Sequence, residues 1–168
     1  VEMSYMPSMI AQVSYDTICH EHFEYYGLRQ IYWMARKVGF SILNVSFNDT
    51  NGGSFRLVLE KSKIQQKEDD VEIRESLDSE KTLGFNGLKP YEEFAARVLE
   101  HQSSFKKVVS KIKDSGKTLM GYGASTKGNV ILQFCGLNHE SISCIAEINE
   151  DKLGCVTPGT HIPIISEV

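Results

Sequence analysis

Lys117-Thr118-Leu119-Met120-Gly121-Tyr122-Gly123-Ala124-Ser125-Thr126-Lys127-Gly128-Asn129 is the stretch that sets the fold class. Lys117–Met120 reads as a short strand, and Gly121–Asn129 as a glycine-rich turn into a helix from Val130 to Cys135. Gly136 stops that helix. Ile142-Ser143-Cys144-Ile145-Ala146 reads as the next strand, with Glu147 at its end. Strand, tight turn, helix and strand make a βαβ unit on a parallel sheet, so the expected class is α/β.

The same residues resemble a nucleotide-binding βαβ unit. Gly121 and Gly123 permit a tight turn and close approach of a phosphate to backbone N–H groups. The helix N-terminus that follows attracts anions. Lys127 can add a charge to a phosphate, and Glu147 can accept hydrogen bonds from a ribose. The third glycine, Gly128, falls off the G-x-G-x-x-G register, so an ordinary strand–helix turn remains the alternative.

Outward from this unit, Pro90 opens a long helix that runs to about Asp114. Glu92 and Glu93 complement its positive end, and Lys106, Lys107, Lys111 and Lys113 its negative end. Tyr91, Phe94, Ala95, Val98, Leu99, Phe105, Val108, Val109 and Ile112 form its apolar stripe. Beyond the second strand, Pro158-Gly159 marks a turn before a short apolar strand. His161 there either lines a cleft or sits in a solvated loop.

Upstream, Pro7 to Val13 reads as a short helix. A second helix runs from Leu28 to Gly39, with Leu28, Ile31, Tyr32, Ala35 and Val38 at helical spacing. Phe40–Phe47 and Ser54–Glu60 read as strands of an antiparallel hairpin around Thr50-Asn51-Gly52-Gly53, with Phe55, Leu57 and Leu59 on one face. From Lys61 to Gly87 the chain is polar. Gln65 to Glu80 fits either a solvated helix or a linker.

Asp16-Thr17-Ile18-Cys19-His20-Glu21-His22-Phe23-Glu24-Tyr25-Tyr26 is the densest run of chemistry-bearing side chains. A polar loop, a metal site and a proton-transfer site all fit it. In an extended segment His20 and His22 would share a face and could meet one ion, but no third ligand is evident nearby. As a proton-transfer site the loop would use a histidine as base, with Glu21 orienting it.

Across 168 residues, composition is that of a globular protein: 41% apolar, 24% charged, with a formal charge of −4. That mild acidity argues against a nucleic-acid binder built on a basic surface. No apolar run is long enough for a bilayer span and no signal-peptide pattern is present, so neither nucleic acid nor membrane is expected as a partner. Cys19, Cys135, Cys144 and Cys155 are widely spaced with no C-x-x-C pair, which predicts free thiols, no metal in this chain and a cytoplasmic setting. Cys135 and Cys144 best fit small buried apolar residues. The chain opens on Val1 rather than Met, and is expected to be part of something longer.

Four motifs in order carry a family resemblance: Asp16-Thr17-Ile18-x-His20-Glu21-His22, Gly52-Gly53-Ser54, Gly121-Tyr122-Gly123-Ala124-x-x-Lys127-Gly128-Asn129, and Pro158-Gly159-Thr160-His161-Ile162-Pro163. Together they resemble the S-adenosylmethionine-dependent C-methyltransferases of nucleotide-linked keto-deoxysugars. The resemblance implies three parts: a zinc-binding module, a class I methyltransferase fold holding S-adenosylmethionine, and a C-terminal Rossmann-like domain. This chain then corresponds to the last portion. Residues 1–60 would be the last helix and hairpin of an incomplete methyltransferase fold, 61–89 a polar linker or helix, and 90–168 the Rossmann-like domain. S-adenosylmethionine would be held mainly, and zinc wholly, by the missing N-terminal part.

The resemblance also implies a chemistry. His22 would remove the sugar C3 proton with support from Glu21, the 4-keto group would stabilise the enolate, and His20 would be a helper. Glu21 would face away from His22 in a regular extended segment, so their pairing requires a turn. Gly121, Tyr122, Gly123, Lys127, Asn129, Glu147 and His161 would hold the nucleotide diphosphate sugar. Cys19 stands where many relatives carry tyrosine, and Glu147 where aspartate is frequent. A non-catalytic nucleotide- or nucleotide-sugar-binding module is the alternative. An open sheet edge where missing strands belong would favour self-association.

Overall fold

The computed structural model describes residues 1–61 and 71–167. They divide into two compact units: Val1–Ser14 with Phe23–Ala95, and Tyr15–His22 with Ala96–Val168. The division falls inside a continuous helix, and the eight residues of Tyr15–His22 group with the second unit although their neighbours on both sides belong to the first. The part of the expected linker at 62–70 lies outside the described residues.

The first unit runs β1 (Glu2–Ser4), α1 (Met6–Gln12), α2 (Leu28–Lys37), β2 (Phe40–Asn48), β3 (Ser54–Lys61) and α3 (Val71–Thr82). Its sheet has the order β1-β3-β2 and is antiparallel throughout. The predicted hairpin is present, with a bulge between Ile42 and Asn44. Alternation places Phe55 and Leu57 in the core and Leu59 at its margin. Helix α2 lays Leu28, Ile31 and Ala35 against that face, and Ile73 of α3 completes the core. Full burial of Leu28 alone is worth about 2 kcal/mol. Val38 ends α2 exposed rather than joining the stripe, because it is the C-cap.

Helix α4 (Lys89–Asp114) begins in the first unit and continues in the second. Its first turns carry Tyr91 and Phe94 against Met6, Met9 and Ile10 of α1. Its later turns carry Phe105 and Val109 into the second core. Leu99 and Val108, expected in the stripe, are exposed.

The second unit continues with β4 (Gly121–Tyr122), α5 (Thr126–Phe134), β5 (Ile145–Glu147) and β6 (Ile164–Ser166). The three strands form a parallel sheet in the order β4-β5-β6, as an α/β reading requires. Lys117–Met120 is not a strand. The ladder begins at Gly121, whose N–H donates to the Cys144 carbonyl, while upstream the Leu119 carbonyl accepts from the Ser143 amide and hydroxyl without forming a ladder. The following strand is likewise shifted from 142–146 to Ile145–Glu147. Leu132, Cys135, Ile145, Ile162 and Ile164 fill the core beneath α5. All four cysteines are free; Cys135 is buried as expected, whereas Cys144 is half-buried. No helix among the described residues is long and apolar enough to cross a membrane.

Candidate functional site

The His-Glu-His loop is anchored at its start. Tyr15 opens a 3-10 turn, Tyr15–Thr17, and is only 5% exposed. Its ring packs at 5.3 Å on Phe134 of α5, and its hydroxyl lies 2.9 Å from Nδ1 of His101 on α4 and 3.9 Å from the Cys135 thiol. Burial, and then the Cys135 contact, push the Tyr15 phenol above its ordinary range, so it stays protonated and able to donate. The Ile18 amide closes the turn on the Tyr15 carbonyl, and Thr17 is buried beneath it. No motif pointed to Tyr15. The only local signal was an aromatic residue at the border of a polar run.

The segment after this anchor turns back on itself. The His22 amide donates to the Cys19 carbonyl at 3.1 Å, which puts His20 and Glu21 at the corners of a tight turn. Donor atoms of Cys19, Glu21 and His22 consequently lie within 4.8 Å of one another. The turn that a Glu21–His22 pairing requires is therefore present. His20 is not in that cluster and is exposed.

At the glycine-rich turn the structure reassigns several backbone groups. The amides of Gly121 and Gly123 donate to the carbonyls of Cys144 and Ala146. Those two amides are therefore committed to the sheet. Gly121 is required for packing, since a Cβ there would lie 2.9 Å from Ile145 Cγ1. Ser125 caps α5 by accepting from the Gly128 amide at 3.0 Å.

Glu147, expected to meet a ribose, is 8% exposed and faces the turn itself. One carboxylate oxygen accepts from the amides of Ile148 and Asn149, and the other from the Ala124 amide at 2.8 Å and from Lys152 at 3.4 Å. A carboxylate has about four acceptor positions, so these donors saturate it and Glu147 clasps the turn instead. The amides of Asn149 and Ala124 lead in holding its carboxyl down at about 2, with Lys152 adding to them against the opposing cost of burial.

Tyr122, Lys127, Asn129 and His161, also singled out by the sequence, lie in the same unit. Tyr122 is exposed, with its hydroxyl 2.5 Å from Glu167. Lys127 and Asn129 lie on the first turns of α5, half-buried, and the Asn129 Oδ1 is buried without a donor among the described residues. His161 sits exposed on a turn with φ of 55°. That turn is built by buried hydroxyls: Thr157 and Thr160 meet at 2.6 Å, and Thr157 accepts from the Ile162 amide at 2.9 Å. Gln133 of α5 ties it down by donating to the Pro158 carbonyl at 2.8 Å. The loop 15–22, the glycine-rich turn and the His161 turn thus belong to one unit.

A groove of about 800 Å³ occurs elsewhere, in the first unit, lined by Tyr5, Ser8, Phe47, Glu72 and Glu75 among others. Its two carboxylates would repel a diphosphate, so volume alone does not make it the site.

Two comparisons with known proteins agree. The profile of the C-methyltransferase C-terminal domain matches residues 49–168. The C-methyltransferase NovU of Streptomyces niveus is 32% identical over 166 residues, covering 99% of this chain. The chain spans 39% of the length of that relative. By the profile match and this identity together, the chain belongs to the C-methyltransferase C-terminal domain family.

Proposed function

We propose that the chain is the C-terminal part of an S-adenosylmethionine-dependent C-methyltransferase acting on a nucleotide-linked 4-keto-deoxysugar, and that it supplies the base and part of the sugar-nucleotide site. The observation that carries this reading is the Cys19–His22 turn, which brings the Glu21 carboxylate beside the His22 ring in a chain of this family.

In this reading His22 takes the proton from C3 of the sugar, and the electron pair moves onto the 4-keto oxygen to give an enolate. Glu21 stabilises the imidazolium that forms, and His20 serves as a helper at the mouth of the loop. A positioned base of this kind contributes roughly a hundred- to ten-thousandfold. Lys127, Asn129, Tyr122 and His161 meet the nucleotide diphosphate sugar, with the Asn129 Oδ1 accepting from a ligand hydroxyl. Gly121, Gly123 and Glu147 shape the Rossmann-like turn beneath them. Residues 1–60 would be the closing helix and hairpin of a class I methyltransferase fold.

The residues here do not fit S-adenosylmethionine. The glycine-rich strand–helix turn described commits its Gly121, Gly123, Ala124 and Gly128 amides to the protein. The donor's step is therefore assigned to the remainder of the enzyme.

The test is His22→Asn in the complete methyltransferase, with solvent deuterium exchange at C3 measured beside methyl transfer. Both should be lost while the nucleotide sugar still binds calorimetrically. Retained exchange or turnover would remove His22 from the mechanism.

A further inference from the structure

We propose that the Cys19–His22 turn is also a capture site for a borderline-soft divalent cation, zinc above all, and that the captured ion silences the base. The inhibitory half of this proposal rests on His22 being that base; the binding half does not.

Reading the loop as extended pairs His20 with His22 and leaves the third ligand missing. The turn changes the partners. It drops His20 and gathers a thiol, a carboxylate and an imidazole from Cys19, Glu21 and His22, with their donor atoms within 4.8 Å of one another. Tetrahedral zinc, with bonds of 2.0–2.3 Å, needs its ligand atoms roughly 3.5 Å apart. Side-chain rotation suffices to close that gap, since Glu21 and His22 are exposed and Cys19 is half-buried.

The backbone is already set. Cys19 and His22 stand three apart on a turn closed by the 3.1 Å amide bond, and Tyr15 fastens the start of the loop to His101 and Phe134. Preorganisation of this kind lowers the cost of binding. The donor set selects the ion. Thiolate with imidazole favours zinc or cobalt over magnesium or calcium, which prefer all-oxygen sites. With three protein ligands the fourth position is left to water. Binding expels the Cys19 thiol proton to the buffer and occupies a ring nitrogen of His22, and a coordinated nitrogen cannot accept the C3 proton.

The experiment titrates the whole chain, reduced with a non-thiol reductant, with cobalt(II). A near-ultraviolet thiolate-to-cobalt charge-transfer band should saturate at one ion per chain and be bleached by an equivalent of zinc. The band should vanish in Cys19→Ser, weaken at least tenfold in apparent affinity in His22→Ala, and persist in Cys144→Ser and Cys155→Ser. Absence of the band, or its survival in Cys19→Ser, overturns the site and leaves the base assignment to the deuterium-exchange test. In the complete enzyme, added zinc should cut turnover at least tenfold, relative to the zinc-free rate, and much less in Cys19→Ser. A cobalt band with no zinc inhibition overturns the silencing.

Discussion

The carboxylate of Glu80 caps the N-terminus of the helix that begins at Leu28. One of its oxygens lies 2.6 Å from the Leu28 amide and the other 3.1 Å from the Arg29 amide, across 52 residues of sequence from Leu28. The first oxygen also accepts from the Tyr5 hydroxyl at 2.9 Å. Burial, followed by the Glu80 charge, raises the Tyr5 phenol and keeps it a donor. Gly27, at the cap position, has no side chain to do this work, so helix α3 supplies the missing acceptor.

Replacing Glu80 with alanine strands the buried Leu28 amide, the part-buried Arg29 amide and a phenol, and removes a negative charge from the positive end of α2. The expected loss is about 3 kcal/mol in the unfolding free energy from urea titration. Glu75→Ala, on the exposed face of the same helix, should change it by less than about 0.5 kcal/mol.

Gly27 and Glu80 should be coupled. A Cβ at residue 27 would sit 2.8 and 3.0 Å from the two Glu80 oxygens. The backbone there is extended, with φ of −88°, so the conflict is steric and not conformational. Gly27→Ala should destabilise the wild-type chain by about 1–3 kcal/mol and be close to neutral beside Glu80→Ala, which a double-mutant cycle measures. Equal effects in both backgrounds would show that the clash is absorbed elsewhere.

The glycine-rich turn should loosen in acid. The folded chain holds the Glu147 carboxyl at about 2, below the ordinary 4.5. A depressed carboxylate contributes stability that is complete above 4.5 and is lost as pH falls from 4.5 through 2. Wild type and Glu147→Gln should therefore differ most in unfolding free energy above pH 5, and the difference should narrow steadily between pH 4.5 and 2. A constant difference across that window would mean that the carboxylate charge is not what holds the turn.

Tyr15→Phe keeps the ring on Phe134 and deletes only the hydroxyl contacts to His101 and Cys135. The expected stability loss is about 1 kcal/mol. If His22 is the base proposed above, the loop that carries it should lose positional order in the complete enzyme, so kcat should fall several-fold with KM little changed. Tyr15→Ala, which also loses the packing, should cost about 3–4 kcal/mol.

Periodicity made α2, the β2–β3 hairpin and α4 legible, because each buries one face at a regular interval. The parallel sheet of the second unit was legible from its glycine-rich turn, although its strand positions were not. Leu119 meets its neighbour by isolated hydrogen bonds, and composition alone cannot say where a ladder starts. Glu80 was hidden in a polar run, since its role depends on amides 52 residues away. Glu147 was found at its place on the strand end, but its bonds to the Ala124 and Asn149 amides were not visible: a carboxylate at a strand end looks the same whether it faces a ribose or its own turn. Residue type singled out the loop's histidines and Glu21, the family resemblance chose His22 among them, and what the sequence could not supply was the reversal at Cys19–His22 that draws Glu21 and His22 together.

The assignment of Tyr15–His22 to the second unit bears on how such enzymes can be recombined. The chain crosses into that unit, leaves it and returns through α4. A chimera joined once, at the break between Ala95 and Ala96, would import the foreign residues from 96 onward while keeping the host's own 15–22 segment, which bears the base in the reading proposed above. That loop would then be seated on unfamiliar neighbours in place of His101, Phe134 and Cys135. Exchange of specificity therefore calls for two grafts made together, the short segment 15–22 and everything from 96 onward, as a single heritable cassette split in sequence.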